Sequence, residues 1–554
     1  MRLILLMAFL LPFLVQAQDK DMLSHKADSC YNAKSYVLAA SYGEAFYKID
    51  STSDGMTYNI ACYCALAGYK QKAIFYLRRS FILGYGAKFL DQDDDLVTLH
   101  KEPEWPSLVK MTADNYSRFE ELVAKRSNIR MEAYTAWQNN INNYMQNLRI
   151  DTTIVDSALY KQLTAFNDYP LLSSFNNNLF LHIALNDSIS APYLVTLPPN
   201  YDPLKPRPLL VVLHGAVYTV KEWPKFADES ITRYGQRYFT KYAAENNMII
   251  VYPLATEKYN WIYPDDGFAM VTSIIKTLKH FINVNDDMVY ITGHSNGAAG
   301  SFNYLMKAPT LFAAFTGMNA QPRVGTGGTF LQNTLNRSFY DIATDKDYYF
   351  PPWGNDTLNG IMHNLGVDWT VDMYKGYPHW FPQFEAADEP VKKMFTAMLT
   401  KKRNPFHPSI YWECDDTIYG KCDWLDITGL DTLQQPAAWQ KEYNFDIHPW
   451  INNQNPDSIM DITKPAFKFP RKSGAVKAVF ANNTFTIQAS CIKSIRLFVS
   501  PVMIDMAKPI KVFINNKQVY NQKISYNKTF MAANFSREFD RKAVWVNYID
   551  ISVR

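Results

Sequence analysis

Short apolar runs alternate with amphipathic stretches from about residue 176 onward. The apolar runs include RPLLVVLHG, NMIIVYP, MVYITG and SFYDIAT, and stretches between them, such as GFAMVTSIIKTLKHFIN and NGAAGSFNYLMKAP, have helical periodicity. Nearly continuous apolar strands that alternate with helices are typical of a parallel sheet with both faces covered. The pattern predicts an α/β domain over residues 176–403, with a mostly parallel sheet and helices on both faces.

The chain before this domain has a helical pattern. In TYNIACYCALAGYKQKAIFYLRRSFILGYG, Ala61 and Ala65 recur at helical spacing, Gly68 breaks the helix, and Ala73 begins the next periodic run. Small residues on one face allow two antiparallel helices to pack closely. Residues 18–125 resemble tetratricopeptide-like helical hairpins, and a plain helical bundle explains the same spacing. Since such hairpins usually bind or pack, a protein contact through this region is a prediction.

Two further segments complete the predicted organisation. Residues 126–175 are polar and amphipathic and are predicted to be a linker. After about residue 404 the helical signals fade, and VKAVFANNTFTIQAS and IKVFINNKQVYNQKI each place Asn-Asn between two alternating strands. Asparagine tolerates positive φ, so both sequences predict tight hairpins. Residues 404–554 are therefore predicted to form a small all-β, sandwich-like domain.

The N-terminal residues predict export. MRLILLMAFLLPFLVQAQDK has an early arginine, an apolar run from Leu3 to Val15 and a small residue at Ala17, which suits cleavage before Gln18. The apolar run is short for a membrane span. We predict a signal peptide over residues 1–17, no stable membrane insertion after its removal, and a periplasmic or secreted protein. An uncleaved anchor is the alternative.

Composition and charge exclude some partners. Hydrophobic residues make up 47% of the chain, which is enough for a packed core. The formal net charge is +3 over 554 residues, so nucleic acid is not an expected partner. The six cysteines have no paired zinc-binding spacing. Cys414 and Cys422 flank a predicted turn, where they would form either a disulfide or two buried thiols.

The segment ITGHSNGAAGS contains the pattern Gly-x-Ser-x-Gly around Ser295. DDMVYIT predicts a strand that stops at Gly293, and a helical pattern begins at Asn296, so Ser295 lies on a strand-to-helix turn. Such a turn lifts the serine hydroxyl above the sheet, and the flanking glycines permit its strained backbone. The pattern therefore predicts that Ser295 is a nucleophile, which needs a base within hydrogen-bonding reach.

A base and an acid follow Ser295 in the order that this chemistry uses. His379 comes after the strand-like DWTVDMY, and both Asp345 and Asp347 lie in the loop beyond the strand SFYDIAT. Asp341 falls within that strand and is expected to be buried or on the wrong side. The chain order Ser, Asp, His predicts a catalytic triad with one of the two loop aspartates as its acid.

Two backbone N–H groups are predicted to form an oxyanion hole. PLLVVLHGAVYTV ends a strand at His214 and Gly215, so the N–H of Ala216 is the next donor, and the N–H of Asn296 follows the nucleophile. Two fixed donors of this kind stabilise a developing alkoxide. His214 and His294 are expected to be structural or packing residues.

These motifs resemble exported esterases of the polyhydroxybutyrate depolymerase and feruloyl esterase type, within the α/β-hydrolase superfamily. The resemblance covers about residues 185–400 and is carried by LHGA, ITGHSNGAAGS, ATDKDYYFP and GYPHWFP. It implies an α/β-hydrolase fold, and the acid-loop pattern of the family, laid on TDKDYYFP, selects Asp347. It also implies two-step acyl transfer by Ser295, Asp347 and His379, with no metal or organic cofactor.

Aromatic residues near these motifs are candidates to line a substrate pocket, and packing on the core is an equally open interpretation. They are Trp261, Tyr263, Trp353 and Trp380. A small-molecule or glycan-linked ester that carries a sugar or a phenol would suit such a pocket.

The predicted function is an exported serine esterase, and two alternatives stay open. A serine peptidase of the prolyl-oligopeptidase type shares the triad order, although the region before the α/β domain has no run of regularly spaced, blade-like strands. A catalytically inactive hydrolase scaffold that acts as a binding protein is the other alternative.

Overall fold

The protein forms two compact units, Met1–Glu132 and Ala133–Arg554. The structure is a computed structural model, and the residues it describes are 20, 22–87, 90–172, 178–223, 237–263, 267–347, 349–350, 352–448, 450–452 and 455–553. The predicted signal peptide, residues 1–17, lies outside the described residues. None of the described helices is both long enough and apolar enough to cross a membrane.

The first unit is helical. Helical residues 22–32 precede α1, α2 and α3, which cover Tyr36–Ile49, Asp54–Leu66 and Lys70–Leu83. The helix α2 packs against both α1 and α3. The alanines that carry the predicted periodicity, Ala61, Ala65 and Ala73, are buried in the core of this unit. The region is helical as its periodicity predicts, and its resemblance to tetratricopeptide hairpins stays a prediction.

The predicted linker over residues 126–175 needs a correction. The helix α4, Trp105–Asn147, runs through its first half, and α5 covers Asp156–Thr164. Trp137, Ile141 and Leu159 from these helices are buried in the same core as the large sheet of the second unit. Polar residues such as Asn142, Asn143 and Gln146 are exposed. Helical spacing of the few apolar residues, and not overall polarity, therefore determines this part of the structure.

The second unit is built around an eight-stranded sheet in the order β1-β2-β4-β3-β5-β6-β7-β8. These strands cover Asn178–Ala184, Ser190–Thr196, Arg207–Leu213, Ile249–Pro253, Val284–Gly293, Ala314–Met318, Ser338–Lys346 and Trp369–Pro378, in chain order. β2 pairs antiparallel with β1 and β4. The pairs from β4 through β3, β5, β6 and β7 to β8 are parallel. The prediction of a mostly parallel sheet is confirmed.

Helices cover both faces of this sheet. They are α6 (Arg237–Glu245), α7 (Ala269–Lys279), α8 (Asn296–Lys307), α9 (Trp353–Leu365) and α10 (Asp388–Leu399). Along β3, Leu209 and Val211 enter one buried cluster with residues of α7 and α8, whereas Leu210 and Val212 enter another with residues of α6 and α10. Successive side chains of a strand point to opposite faces of the sheet. When both faces are covered, nearly every position is buried, so such strands have almost continuously apolar sequences.

The parallel strands bring distant segments to one edge. β3 ends at Leu213, β5 at Gly293, β6 at Met318, β7 at Lys346 and β8 at Pro378. The carboxyl ends of parallel strands lie on the same side of a sheet, where ligand sites of open α/β sheets form. The segments that follow these five strands contain every predicted member of the triad and the oxyanion hole.

Thirteen described strands lie after the last helix of the α/β part. A four-stranded sheet has the order β10-β11-β18-β21, and a five-stranded sheet has the order β20-β19-β17-β16-β9. The strands β9 to β21 cover Ser409–Cys414, Lys421–Cys422, Leu425–Leu430, Asp446–Ile447, Trp450–Asn452, Asn455–Met460, Lys464–Pro465, Gly474–Ala481, Thr484–Ser490, Ile492–Val499, Ile510–Ile514, Lys517–Gln522 and Asn547–Ser552.

Both predicted Asn-Asn hairpins are present. Ala481 pairs with Thr484 across the first turn, and Ile514 pairs with Lys517 across the second. All four turn asparagines have positive φ, as tight two-residue hairpins require. One element departs from the all-β prediction. The helix α11, Lys528–Glu538, begins where the Asn527 side chain accepts a hydrogen bond from the Phe530 N–H.

The α/β part and the C-terminal strands share one interior. Val476, Ile487 and Leu497 of the C-terminal sheets belong to the same buried cluster as Val211 of the large sheet. Buried ion pairs also connect the two parts, among them Lys307 with Asp415, Arg337 with Asp423, and Arg403 with Asp540. Residues 404–554 therefore pack as part of the second unit. The predicted cysteine pair, Cys414 and Cys422, is present as two buried free thiols.

Candidate active site

Ser295 lies on a strained turn between β5 and α8. Its backbone has a φ of 58° and a ψ of −122°, which is unfavourable for a residue with a side chain. A Cβ on Gly293 or Gly297 would overlap with the carbonyl of Leu213 at the end of β3. Only glycine fits at these two positions, because the turn is pressed against the neighbouring strand. This is the strand-turn-helix arrangement that presents a serine hydroxyl above an α/β sheet.

The tight packing at Gly297 gives a test of the turn. We expect Gly297→Ala to destabilise the fold by about 3 kcal/mol, because the added methyl group has no space beside the Leu213 carbonyl. Gly360→Ala in α9 is the control, since a Cβ there meets no atom within 4 Å, and it should stabilise the fold by about 0.5–1 kcal/mol. Urea unfolding measures both, and equal changes in the two variants would contradict the packing described.

A buried carboxylate holds the ring of His379. His379 follows β8 directly, and its Nδ1 lies 2.7 Å from Oδ2 of Asp347. The two side chains are almost fully buried. Asp347 also accepts hydrogen bonds from the backbone N–H groups of Tyr349 and Phe350, each at 2.9 Å, and from Nδ2 of Asn319 at 2.8 Å. Because the carboxylate only accepts, Nδ1 of His379 carries the proton and Nε2 is left as the basic nitrogen.

His294 places the His379 backbone beside the serine turn. The Nε2 of His294, the residue before Ser295, donates to the His379 carbonyl oxygen at 2.7 Å, and the two imidazole rings lie 4.8 Å apart. Burial lowers the pKa of His294 to about 3, so this ring is neutral near pH 7. The structure thus brings His379 alongside the turn, while the Ser295 hydroxyl makes no hydrogen bond with any residue that the structure describes.

The other two candidate aspartates occupy different environments. Asp345 is exposed and accepts a hydrogen bond from the Gly376 N–H at 2.6 Å. Asp341 is buried within β7, where its carboxylate oxygen lies 3.4 Å from the Ala320 N–H, and burial raises its pKa to about 8. Of the three aspartates, Asp347 is the one that the structure hydrogen-bonds to His379.

The buried Asp341 should make stability fall as pH rises. Its carboxyl keeps its proton to about pH 8 in the folded chain and loses it near pH 4 in the unfolded chain. The folded state therefore binds more protons across this window, so its free energy of unfolding declines from pH 4 to pH 8. We expect Asp341→Asn to flatten the decline and to be more stable than the wild type at pH 8, by about 3 kcal/mol. Urea unfolding at pH 5 and pH 8 measures this, and identical pH dependence in both proteins would contradict it.

A peptide bond between Gly215 and Ala216 lies close to Ser295. A Cβ on Gly215 would lie 3.2 Å from the Cβ of Ser295, so this backbone approaches the serine closely. Ala216 has a φ of 52° and a ψ of 38°, the left-handed conformation that few alanines adopt. The N–H groups of Ala216 and Asn296 make no protein hydrogen bond among the described residues, which leaves two backbone donors beside Ser295.

His214 fixes the direction of that peptide. Its Nδ1 lies 2.7 Å from the Gly215 carbonyl oxygen, and its Nε2 accepts from the Ala255 N–H at 3.0 Å. Burial lowers the pKa of His214 to about 4, so the ring is neutral and Nδ1 is its donor. Since the C=O and N–H of a trans peptide point in opposite directions, a held Gly215 carbonyl also sets where the Ala216 N–H points.

The four candidate pocket aromatics have different positions. Trp261 is fully buried against the His214 ring and Gly300, which favours the packing interpretation for this residue. Tyr263 and Trp380 are partly exposed, and the Trp380 ring lies 5.2 Å from that of His379. The side chain of Trp353 lies outside the described residues.

Sequence reasoning missed Asn319. It follows β6 directly and has a φ of 54°. Its Nδ2 donates to both Asp347 and Thr344, the latter at 2.6 Å. The available signal was its position just beyond the carboxyl end of a parallel strand, next to the predicted site.

One cluster of metal-ligand types lies in the helical unit. Atoms of Cys62, Asp93 and Asp95 lie within 4.8 Å of one another. The hydroxyls of Tyr58 and Tyr31 donate to Asp93 and Asp95, and burial is the main reason that the pKa of Cys62 is raised well above its usual range. These hydroxyls satisfy the carboxylates, so the cluster is explained by its own hydrogen bonds.

The chain is similar to solved structures of esterases. It is 18% identical to a ferulic acid esterase over 40% of this chain and 100% of that one, with a TM-score of 0.32. It is 16% identical to the poly(3-hydroxybutyrate) depolymerase of Bordetella parapertussis over 38% of this chain and 90% of that one, with a TM-score of 0.30. It is 19% identical to a thermostable esterase over 41% of this chain and 64% of that one, with a TM-score of 0.34. No protein-family model and no curated protein matches the chain.

Proposed function

We propose that this protein is a serine hydrolase that cleaves carboxylic esters through an acyl-enzyme intermediate. The observation that carries the proposal is the buried hydrogen bond between His379 and Asp347, held beside the strained turn of Ser295. A base with a fixed tautomer, a nucleophile on a sharp turn and two unused backbone donors are the parts that acyl transfer needs.

Acylation begins with the attack of Ser295 Oγ on the ester carbonyl carbon. Nε2 of His379 takes the serine proton as the new C–O bond forms, and the carbonyl electrons move onto its oxygen. The N–H groups of Ala216 and Asn296 donate to this oxyanion. The intermediate then collapses, the ester C–O bond breaks, and the alcohol leaves with the proton from His379. Ser295 and His379 share no hydrogen bond in the structure, and such contacts often tighten only when substrate binds.

Deacylation repeats the same steps with water. Nε2 of His379 takes a proton from a water molecule, whose oxygen attacks the acyl carbon. The oxyanion again accepts from the two backbone N–H groups, and the bond to Ser295 Oγ breaks as His379 returns its proton to the serine. Throughout, Asp347 holds Nδ1–H and stabilises the imidazolium, while His214 positions the Ala216 donor through the Gly215 carbonyl.

An active-site-directed phosphonate tests the reaction class. We expect a fluorophosphonate to label the wild-type protein once per chain at Ser295, because only an activated serine reacts with it. Ser295→Ala should not label. Ser301→Ala is the matched control, since Ser301 is fully buried in α8, and it should label normally. A wild-type protein that does not react would overturn the proposal and favour a binding role on an inactive scaffold.

A substrate panel separates esterase from peptidase. p-Nitrophenyl acetate, p-nitrophenyl butyrate, a feruloyl ester and a peptide p-nitroanilide are compared at equal concentrations. We expect turnover of at least one ester to exceed that of the peptide amide. Faster cleavage of the amide would replace the esterase proposal with the peptidase alternative. Export and a protein contact through the helical unit stay predictions.

A further inference from the structure

The side chain of Asn319 is buried beside the acid of the proposed triad. Asn319 is the first residue after β6, and it is only 2% exposed. Its Nδ2 lies 2.8 Å from Oδ2 of Asp347 and 2.6 Å from Oγ1 of Thr344. Acyl transfer by Ser295 and His379 assigns this amide no chemical step, so any part it has in the reaction must come through the groups it holds.

The groups around the Asn319 amide determine its orientation. A carboxylate only accepts hydrogen bonds, so the atom that faces Asp347 is the nitrogen and not the oxygen. The second proton of this nitrogen goes to the Thr344 hydroxyl, which in turn donates to the Pro378 carbonyl oxygen at 3.2 Å. Both protons of the amide and the one proton of the hydroxyl are therefore used, and every bond in this chain has a defined direction.

Asn319 and His379 share one oxygen of the Asp347 carboxylate. Oδ2 accepts from Asn319 Nδ2 and from His379 Nδ1. Oδ1 accepts instead from the backbone N–H groups of Tyr349 and Phe350. Without the amide, His379 would be the one donor to Oδ2 among the residues that the structure describes. The Asn319 amide is thus the second point that fixes where Oδ2 lies, and Oδ2 fixes the imidazole ring.

The same amide also reaches the segment that carries the base. Pro378 ends β8 directly before His379, and its carbonyl is held by Thr344, which is held by Asn319. Thr344 is only 1% exposed. Hydrogen bonds are stronger away from water, and bonds in a connected chain support one another. One side chain therefore links the position of the acid to the position of the backbone next to the base.

The backbone of Asn319 does not account for its side chain. Its φ of 54° lies in the left-handed region, which glycine adopts with less strain than asparagine. Its N–H donates to the Ile342 carbonyl oxygen at 2.7 Å, and any residue except proline could do this. Its amide oxygen is buried and makes no hydrogen bond within the described part of the chain, which costs free energy. A local cost of this kind beside a reactive group is typical of a residue kept for function.

We propose that Asn319 is a positioning residue of the triad, whose amide holds the Asp347 carboxylate and, through Thr344, the Pro378 carbonyl, so that His379 is presented to Ser295. This role rests on the proposed ester hydrolysis. Because Asn319 acts through Asp347, its loss should slow the chemical steps and leave the binding of substrate unchanged.

Steady-state kinetics of Asn319→Gly with p-nitrophenyl butyrate test the proposal. Glycine keeps the left-handed backbone and removes only the side chain. We expect kcat to fall by a factor of about 10 to 100, which corresponds to the loss of a hydrogen bond to a charged group, while KM stays as in the wild type. Asn247→Gly is the matched control. Asn247 also has a positive φ, but it is exposed at the amino end of β4, away from the carboxyl edge of the sheet, so its kcat and KM should equal those of the wild type.

Two variants of Thr344 separate hydrogen bonding from packing. Thr344→Ser keeps the hydroxyl and should retain most of the wild-type kcat. Thr344→Val keeps the shape of threonine but has no hydroxyl, so kcat should fall roughly tenfold. A role in packing alone predicts the reverse order, because serine removes a buried methyl group and valine does not.

Several results would overturn the positioning role. One is a folded Asn319→Gly protein whose kcat falls by less than roughly tenfold. Another is a loss that lies in KM alone, and a third is a valine variant at residue 344 that is as active as the serine variant. Melting temperature reports whether each variant is folded, and the two Thr344 variants decide the question if Asn319→Gly does not fold. A wild-type protein that neither hydrolyses an ester nor reacts with a fluorophosphonate would instead overturn the proposed function, and the positioning role with it.

Discussion

Replacing Ser295 with alanine is expected to lower kcat/KM for a short aryl ester by a factor of about 10⁴ to 10⁶. The loss is large because the variant has no oxygen to form the acyl-enzyme, and the residual rate comes only from the oxyanion donors and substrate binding. Hydrolysis of p-nitrophenyl butyrate at saturating and limiting concentrations measures it. A variant with near-normal turnover would show that another residue supplies the nucleophile.

A glycine at the same position separates chemistry from folding. Ser295 has a positive φ, which glycine adopts without strain. Ser295→Gly should therefore be as inactive as the alanine variant and yet more stable than the wild type, by about 1–2 kcal/mol. Thermal unfolding measures this. Loss of activity together with loss of stability in both variants would point to a structural serine.

Removal of the Asp540 carboxylate is expected to lower the free energy of unfolding by about 3–5 kcal/mol. Asp540 accepts from both terminal nitrogens of Arg403, at 2.6 and 2.8 Å, and lies 3.3 Å from Nζ of Lys279. Burial opposes its charge, but Arg403 and Lys279 keep its pKa well below the usual range. Without Asp540, the guanidinium of Arg403 stays buried. The ion pair that remains, with Asp287 at 3.8 Å, is longer and weaker.

The matched control is a pair with similar geometry at the surface. Arg496 contacts Asp550 through two hydrogen bonds of 2.7 and 2.8 Å, but both side chains are partly exposed. Asp550→Ala should therefore cost about 0–1 kcal/mol. Urea unfolding of Asp540→Ala and Asp550→Ala gives the comparison. Similar losses in the two variants would mean that burial does not set the strength of the Arg403 pair.

The serine turn could be predicted because its determinants are local. A strand pattern, two glycines and a helix pattern occur within a dozen residues of Ser295, and each constrains the backbone directly. His379 and Asp347 were also predictable as neighbours of the turn, since parallel strands deliver their carboxyl ends to one edge. The choice between Asp345 and Asp347 was different, because both follow the same strand: the resemblance of TDKDYYFP to the acid loop of the family selected Asp347, and the folded loop bonds it to His379.

Contacts between segments that are far apart in the chain could not be predicted. The amide of Asn319 meets Asp347 only because β6 and β7 pair in one particular register. The hydrogen bond from His294 to the His379 carbonyl likewise depends on how two segments that are far apart in the chain come together. For Trp261, proximity to a motif in the sequence could not decide between lining a pocket and packing in the core, and its burial favours packing. α11 was missed because its sequence has only a weak apolar periodicity.

The buried ion pairs between the two halves of the second unit have a consequence for biosynthesis. Lys307 and Arg337 leave the ribosome 108 and 86 residues before Asp415 and Asp423, and Arg403 leaves 137 residues before Asp540. At about 5–20 residues per second, the nascent α/β part waits roughly 5 to 30 s for the acids that neutralise its interior cations. During that time it cannot complete its core.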